Sequence, residues 1–320
     1  MRILFHTAED RLGDALIKLP AIMAARAACP EMHLTWSTAT GNSLYARGLA
    51  PLARPFIDDV RERTGVGTQW RELWGPRWRE HFDIIIASER RLLSTLALKR
   101  IGHRRFLAPT RNFLFSDTRP EGDFRNEPVF QQTRILFELA LRRPLTLPTT
   151  LSLPPELEAQ AKALLPSGLP YVGFAPGAGG KDKCWPLEHF VAAARAQVLL
   201  GRRVVFFLGP EEDDWFAPLQ AAVPEACFPE RMAAASQRGP MLAIALARQL
   251  AAGVANDSGI GHLMAAGGQP LLVLYGRTSE RKFTPGFGQR RALRAIDFGG
   301  ATVADIPVAA VTAALEDALV

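Results

Sequence analysis

The chain is poor in cysteine, and its three cysteines, Cys29, Cys184 and Cys227, lie far apart. Because no two of them have the C-x-x-C spacing, neither a cysteine zinc site nor a disulfide framework is expected. So few cysteines in 320 residues are typical of a protein from a reducing cytoplasm.

Long hydrophobic runs are also missing. The longest, such as residues 84–87 and 204–208, have the length of strands, whereas a membrane-spanning helix needs about 20 apolar residues. The first 14 residues turn acidic and polar after one short apolar run, which does not resemble a secretory signal. We therefore expect a cytoplasmic protein, with peripheral contact at the inner membrane as an open alternative.

Several functional motifs are absent. No G-x-G-x-x-G follows the first predicted strand, which disfavours a nicotinamide-dependent dehydrogenase. No nucleic-acid-binding motif is recognisable, so no nucleic-acid partner is expected. No D-x-D carboxylate motif is evident either, and the sequence predicts no metal site and no cofactor.

The composition is that of a globular protein, with 48% hydrophobic and 22% charged residues. Its length suits two domains of about 150 residues each. The net charge of +6 is unevenly placed, with +7 in residues 1–150 and −1 in residues 151–320. The arginines of the first half fit an anionic partner, although a solvated surface explains them equally well.

Short apolar strands alternate with helical patterns along the whole chain, which predicts an α/β fold with two doubly wound, Rossmann-like domains facing a central cleft. Residues 144–155, PLTLPTTLSLPP, indicate a linker between domains 1–150 and 151–320. We predict that the last helix, Ile306 to Leu319, packs back on the first domain. Residues 70–80 look helical.

Four polar or glycine-rich segments come after predicted strands: Gly13-Asp14, residues 181–186, residues 209–213 and the stretch within residues 253–267. Since ligands bind beyond the carboxyl ends of parallel strands, we expect these segments to line one cleft. Taken singly, each has an ordinary explanation as a helix cap or a solvated loop.

The segment 253–267, GVANDSGIGHLMAAG, is the most informative. Asp257 or Ser258 is a natural N-cap, and Gly259 and Gly261 allow close approach to the backbone. A helix start of this kind directs N–H groups and the positive end of the helix dipole at one point. This arrangement suits a phosphate group.

Together, these segments resemble the bacterial ADP-heptose:lipopolysaccharide heptosyltransferases of glycosyltransferase family 9, which have the GT-B architecture. The resemblance covers most of the chain and is dense at five ordered motifs: RIL and LGDALIKLPAI within residues 2–22, APGAGGKDKCWPLEHF at 175–190, FLGPEEDD at 207–214, NDSGIGHLMAAGG at 256–268 and YGRTSERKFTPGFG at 275–288.

The resemblance implies an inverting, metal-independent transfer of heptose from ADP-heptose to an anionic glycolipid, the lipopolysaccharide core. Asp14 matches the family's catalytic base, and Lys183 matches a lysine that binds the donor diphosphate. The donor loop corresponds to Asp257, Ser258 and Gly259, with His262 in the next turn.

Two assignments stay open at this point. Among Glu211, Glu212 and Asp213, the sequence favours Glu212 for holding the donor ribose. The loop before Asp14 is longer than the family norm, so Asp10 is a rival base.

Other functions also remain open. Gly179-Gly180 replaces the hydroxyl residues that often precede the lysine, which puts the donor in question. The alternatives are a transferase of the same family with another sugar nucleotide or a protein acceptor, a GT-B sugar-nucleotide epimerase, and a non-catalytic nucleotide-binding module.

Overall fold

The computed structural model describes residues 1–276, 280–282, 284 and 286–319, with the backbone alone for Asp182. The chain divides into two compact units, Met1–Pro148 and Thr149–Val320. Each unit contains one five-stranded sheet within the described residues, and every strand pairing in it is parallel. The α/β fold predicted from the alternation of strands and helices is confirmed.

The first unit is built from five strands and four helices in its described part. The strands are β1 (Arg2–Thr7), β2 (His33–Thr38), β3 (Asp59–Arg61), β4 (His81–Ala87) and β5 (Gly102–Leu107). The helices are α1 (Leu12–Ala28), α2 (Ala50–Ala53), α3 (Leu92–Lys99) and α4 (Val129–Leu141), with 3-10 turns at Leu44–Ala46, Trp70–Leu73 and Phe124–Asn126.

The sheet of the first unit has the strand order β3-β2-β1-β4-β5. The chain runs outward from β1 through β2 to β3 and then returns to the other side of β1 as β4. The order therefore reverses between β1 and β4, and in open α/β sheets such a reversal opens a crevice for ligands at the carboxyl ends of the strands.

Aromatic packing holds β1 in place. Phe5 stacks on Trp36 of β2 at a centroid distance of 4.2 Å and on Phe137 of α4 at 5.3 Å. All three side chains are fully buried. Aromatic pairs of this geometry contribute about 0.5–1.5 kcal/mol beyond their buried area, so the strand that precedes the Asp14 loop is rigidly anchored.

The second unit also contains a five-stranded parallel sheet, but its strands are arranged in a different order. Its strands are β6 (Tyr171–Ala175), β7 (Arg203–Phe206), β8 (Leu250–Asn256), β9 (Leu271–Tyr275) and β10 (Arg290–Arg294). Its helices are α5 (Pro155–Leu164), α6 (Leu187–Leu199), α7 (Phe216–Ala222), α8 (Pro229–Met232), α9 (Pro240–Ala247), α10 (Gly259–Gly267) and α11 (Val308–Ala318). Shorter 3-10 turns lie at Lys181–Lys183, Pro210–Trp215, Ala235–Gln237, Ala295–Phe298 and Val303–Asp305.

The strand order of the second sheet is β10-β9-β8-β6-β7, which reverses between β6 and β8. The core of this unit includes Phe174, Phe190 and Phe206.

The last helix was predicted to pack back on the first domain. The buried face of α11, with Val311 and Leu315, belongs to the core of the second unit.

Two local predictions were wrong. Residues 70–80 do not form a helix, because only Trp70–Leu73 makes a 3-10 turn before Gly75 and Pro76 interrupt the pattern. The strand β10 was missed altogether. Its sequence, RRALR, is mostly exposed on the edge of the sheet and therefore lacks the apolar alternation that marks a half-buried strand.

Candidate active site

In the first unit, the loops that follow β1 and β4 meet where the strand order reverses. β1 ends at Thr7 and leads through residues 8–11 into α1, whereas β4 ends at Ala87 and leads through residues 88–91 into α3. The two strands are direct neighbours, with His6 opposite Ala87. Side chains from both loops therefore project at the same edge of the sheet.

Asp14 is the third residue of α1 and is half-buried. The backbone N–H of Arg11, the residue that precedes the helix, favours the ionised form of its carboxyl group. Burial raises the pKa of Asp14, and the nearby Lys18 ammonium partly offsets that rise. A partly desolvated carboxylate with a raised pKa has the properties of a general base.

Asp10, the rival base, is engaged within the protein. The Lys18 ammonium donates to its Oδ1 at 2.6 Å, and the Trp36 indole N–H and the Ser43 hydroxyl donate to its Oδ2 at 2.5 and 3.2 Å. Asp10 is 1% exposed. Three donors and nearly complete burial describe a structural carboxylate, so the geometry favours Asp14 as the group that faces a substrate.

Lys18 was not recognised from the sequence. It lies one helical turn after Asp14 and is buried, which is rare for a lysine that lacks a partner. Besides its ion pair with Asp10, it donates to the Thr7 hydroxyl at 3.3 Å and lies over the Trp36 ring. The i, i+4 spacing from Asp14 was the available signal, but the partner Asp10 becomes visible only in the fold.

His6 and Glu89 form a second buried pair at the same edge. The His6 Nε2 lies 3.8 Å from the Glu89 Oε1, and the His6 Nδ1 is 3.0 Å from the Ser37 hydroxyl. Burial lowers the pKa of His6 to about 4 and raises the pKa of Glu89. The sequence reasoning missed Glu89, although its place just after a buried strand was a usable signal.

In the second unit, Asn256 joins the two loops at the reversal point between β6 and β8. Its side-chain N–H donates to the Pro176 carbonyl at 2.7 Å, and its Oδ1 accepts from the Trp185 backbone N–H at 3.0 Å. Asn256 is fully buried. One side chain therefore fixes both ends of the glycine-rich loop 176–185 beside the start of α10.

The predicted phosphate-binding helix start is formed by α10. Ser258 is its N-cap residue, with extended backbone angles, and its hydroxyl accepts from the Gly261 N–H at 3.1 Å. Gly259 is the first helical residue, and Asp257 precedes the cap. Because early helical N–H groups have no acceptor within the helix, this turn presents donors and positive dipole charge to an anion.

Close backbone packing explains why position 261 is a glycine. A Cβ at this position would lie 2.7 Å from the Asn256 carbonyl oxygen, which is closer than side chains can approach. The close approach expected at this glycine is therefore made by the protein's own backbone.

Glu212 is set apart from its acidic neighbours. It is buried, whereas Glu211 and Asp213 are exposed, and Asp213 pairs with Arg231. Its Oε2 accepts from the Gly209 N–H at 2.8 Å. Burial raises the pKa of Glu212.

The Glu212 carboxyl group also lies against Gly177. A Cβ on Gly177 would fall on the Glu212 carboxyl oxygens. This contact brings the loops after β6 and β7 together.

Lys183 and His262 have contrasting environments. Lys183 is exposed at the end of the 3-10 turn Lys181–Lys183, inside the loop that Asn256 anchors. His262 is buried in α10, and burial together with the Arg290 guanidinium lowers its pKa to about 4. His262 is therefore neutral near pH 7.

The other predicted residues of this unit lie in three adjoining loops. Lys183 follows β6, Glu212 follows β7, and Asp257, Ser258 and Gly259 follow β8.

Comparison with known proteins decides the family. The model of glycosyltransferase family 9 (heptosyltransferase) matches residues 73–299. This match covers well over half of the chain. The chain belongs to glycosyltransferase family 9.

Individual members of family 9 are similar over long stretches. Lipooligosaccharide heptosyltransferase 2 of Haemophilus influenzae is 28% identical over 238 residues, covering 69% of this chain and 67% of that protein. Lipopolysaccharide heptosyltransferase 1 of Pseudomonas aeruginosa is 27% identical over 319 residues, covering 93% of this chain and 84% of that protein.

Solved structures of family 9 share the fold. The structure of the E. coli heptosyltransferase WaaC with ADP-2-deoxy-2-fluoro heptose has a TM-score of 0.67 at 20% identity, with 99% of each chain covered. The fold is therefore the GT-B architecture expected for the family, with two Rossmann-like domains. Among the described residues, no helix is long and apolar enough to cross a membrane.

One family motif falls partly outside the described residues. The segment 275–288 was matched to the family's loop that ends in Pro-x-Gly. Arg277, Thr278, Ser279, Phe283 and Pro285 within it are not described.

Proposed function

We propose that this family 9 glycosyltransferase moves heptose from ADP-heptose to the lipopolysaccharide core, with inversion at the anomeric carbon. The observation that carries the proposal is the half-buried Asp14 at the strand reversal of the first unit, with Lys18 one turn behind it. The named activity of the relatives supports the sugar, and the E. coli structure with an ADP-heptose analogue supports the donor.

In this proposal Asp14 is the general base. It removes the proton from the acceptor hydroxyl as the oxygen attacks the anomeric carbon, which contributes about 10² to 10⁴-fold to the rate. The base must be ionised to act. Burial raises the pKa of Asp14, and the Lys18 ammonium opposes that rise and so favours the ionised base.

The second unit supplies the electrophilic side of the reaction. As the bond from heptose to the β-phosphate breaks, negative charge grows on the ADP leaving group. We assign its stabilisation to Lys183 and to the N–H groups at the start of α10, where Asp257, Ser258 and Gly259 form the donor loop. Donors of this kind contribute roughly 3 kcal/mol each when they are preorganised.

Glu212 completes the donor site as the carboxylate that accepts hydrogen bonds from the ribose hydroxyls, a role that acidic residues have in related nucleotide-binding folds. Its position between Gly177 and Gly209 supports this role. His262 is neutral and buried, so we assign it the positioning of the loop. The proposal needs neither a metal ion nor a cofactor.

The acceptor is proposed to be an anionic glycolipid, which agrees with the excess of arginine in residues 1–150. Guanidinium groups bind phosphate and carboxylate groups through paired hydrogen bonds. A cytoplasmic enzyme that works on such an acceptor acts at the inner membrane surface.

The decisive experiment compares the wild type with Asp14→Asn in two assays. Transfer from ADP-heptose to lipopolysaccharide-core acceptor should fall by about 10² to 10⁴-fold in the variant, because the base is lost. The affinity for ADP-heptose, measured by calorimetry, should stay the same, because the donor residues lie in the second unit.

Full transfer activity in a folded Asp14→Asn protein would refute the assignment. An acceptor-free reaction provides the control for the epimerase alternative. Release of free sugar at the transfer rate would identify an epimerase, and a product of retained configuration would reject inversion. Loss of activity on chelation would reject the metal-free mechanism.

A further inference from the structure

Residues 64–79 form a loop in the first unit that we call the tryptophan segment. It contains three of the six tryptophans of the chain, at positions 70, 74 and 78. Trp70 is 65% exposed and Trp74 is 78% exposed. Two large aromatic side chains exposed one turn apart form an apolar surface of the kind that marks an interaction site.

The tryptophan segment is held firmly, so its exposed rings do not reflect a loose loop. Glu72 is buried beneath it and accepts hydrogen bonds from the N–H groups of Gly67, Thr68 and Gln69 at 2.9–3.2 Å. The N–H of Thr64 donates to the Thr38 carbonyl at 3.0 Å, which ties the start of the segment to the carboxyl end of β2.

Close packing holds the rest of the segment. Gly67 has a φ of +77°, and a Cβ there would lie 2.6 Å from the Ser94 Cα of α3. At the other end, Trp78 packs on Phe82, and the Arg61 guanidinium lies 5.0 Å from its ring. The inward residues of the segment are thus committed to the fold, and Trp70 and Trp74 are the rings that it presents.

The tryptophan segment carries an excess of positive charge. Residues 64–79 contain three arginines and a single acidic residue, Glu72, whose carboxylate is buried in the loop. The acidic residues that flank the segment, at positions 62 and 80, form ion pairs with arginines. Arg71, beside Trp70, and Arg79 are exposed. The outward face of the segment therefore combines two aromatic rings with cationic side chains.

This combination matches the surface of an anionic bilayer. Tryptophan is enriched at membrane interfaces, where its apolar ring and polar N–H fit the headgroup region. Arginines beside it add attraction to anionic headgroups, which is screened by salt. A membrane also fits the lipid-linked acceptor, so the inference rests on the proposed function in its choice of occupant.

We propose that the tryptophan segment docks this enzyme on an anionic lipid surface, with Trp70 and Trp74 in the headgroup layer and Arg71 and Arg79 on lipid phosphates. Docking by this surface brings the enzyme to an acceptor that is itself embedded in the bilayer. The contact is peripheral and reversible, since two rings bury little area compared with a spanning helix.

The test is vesicle co-sedimentation of the full chain without any donor, using phosphatidylcholine vesicles with and without phosphatidylglycerol. The test variant is Trp70→Ser/Trp74→Ser. The matched control is Leu199→Ser/Ile296→Ser, which removes two other exposed apolar side chains, in the second unit. We expect the wild type and the control to bind anionic vesicles at least tenfold more tightly than the test variant.

The contribution of the two arginines is tested by substituting them and by varying the salt concentration. Arg71→Gln/Arg79→Gln should weaken binding to the anionic vesicles and flatten its salt dependence. Equal binding of all variants, or no binding of the wild type, would overturn the proposal. A loss as large in the Leu199→Ser/Ile296→Ser control would show nonspecific adsorption and would overturn it as well.

Transfer assays separate this proposal from the proposed function. With a water-soluble core glycan as acceptor, Trp70→Ser/Trp74→Ser should retain wild-type activity, whereas with vesicle-embedded acceptor its rate should fall about tenfold. Loss of activity on the soluble glycan in a folded variant would place the rings in the glycan site and reject lipid docking. Vesicle binding without heptose transfer would refute the proposed function and leave the docking surface standing.

Discussion

At the scale of single residues, the protonation of Asp14 depends on Lys18. In Lys18→Met the cation that opposes the effect of burial is lost, so the pKa of Asp14 rises further. The base is then ionised only at higher pH, and the acid limb of the kcat profile should move to higher pH. The measurement is the pH dependence of transfer from pH 5 to 9.

The same substitution leaves Asp10 buried without its ion-pair partner, which should lower the free energy of unfolding by about 3–5 kcal/mol. The double variant Lys18→Met/Asp10→Asn removes both charges and should recover much of that loss. Lys18 affects the pKa of Asp14 more than Asp10 does, so the double variant should keep a smaller shift in the same direction. Unchanged profiles in both variants would contradict the role of Lys18.

Gly177 offers a similar test in the second unit. In Gly177→Ala the new methyl group would displace the Glu212 carboxylate, so the affinity for ADP should fall about tenfold, or about 1.4 kcal/mol, by calorimetry. Gly179→Ala, in the same loop, meets no atom within 4 Å and is the matched control. Equal affinities of the two variants would remove Glu212 from the ribose site.

At the scale of elements, the start of α10 combines a structural role with a proposed binding role, and substitutions of Ser258 separate them. Ser258→Ala removes the N-cap acceptor for the Gly261 N–H, at a cost of about 1 kcal/mol in stability. Ser258→Asp keeps a capping oxygen but adds negative charge where the phosphate is proposed to bind. The alanine variant should therefore be less stable, and the aspartate variant should be stable but bind ADP poorly.

Thermal unfolding with and without ADP measures both effects. If the aspartate variant bound ADP as tightly as the wild type, the anion site would lie elsewhere.

Elements with a strong local signal could be predicted from the sequence. The strand Tyr171–Ala175, for example, is a continuous and fully buried apolar run, which is the pattern expected of a parallel strand. The helix predicted from Trp70 failed because the Glu72 carboxylate binds the N–H groups of the loop just before it, and because Gly75 and Pro76 break the segment after one turn. β10 has an edge position and a polar sequence, so only its pairing with β9 reveals it.

In the candidate site, too, some residues could be predicted from local sequence motifs and others could not. Asp14, Ser258 and Glu212 were found because each follows a strand in a recognisable motif. The partners that set their environment, Lys18 and Asn256, could not be found in that way. Their importance lies in contacts across 8 to 80 residues of chain, which local patterns do not contain.

At the scale of the whole molecule, each unit contains one buried histidine whose pKa is lowered to about 4, His6 in the first and His262 in the second. Between pH 6.5 and 4 the unfolded chain binds more protons at these positions than the folded protein does. Stability from these groups is therefore complete above pH 6.5 and is lost as the pH falls toward 4. A difference of this size corresponds to about 3 kcal/mol for each histidine.

Buried carboxylic acids act in the opposite direction, since burial raises the pKa of Glu230 to about 7 and this group favours the folded state at lower pH. The effect of one histidine must therefore be measured as a difference between variants. From pH 7 to pH 4, the stability advantage of the wild type over His262→Asn should shrink by up to about 3 kcal/mol. The reason is that His262 of the wild type binds a proton in the unfolded chain before it does so in the folded protein, whereas asparagine binds none in either state.

Urea unfolding at each pH gives these free energies. A constant difference for His262→Asn would mean that His262 binds a proton in the folded protein as readily as in the unfolded chain. In that case a charged imidazole, rather than a neutral one, would stand behind the donor loop below about pH 6.5.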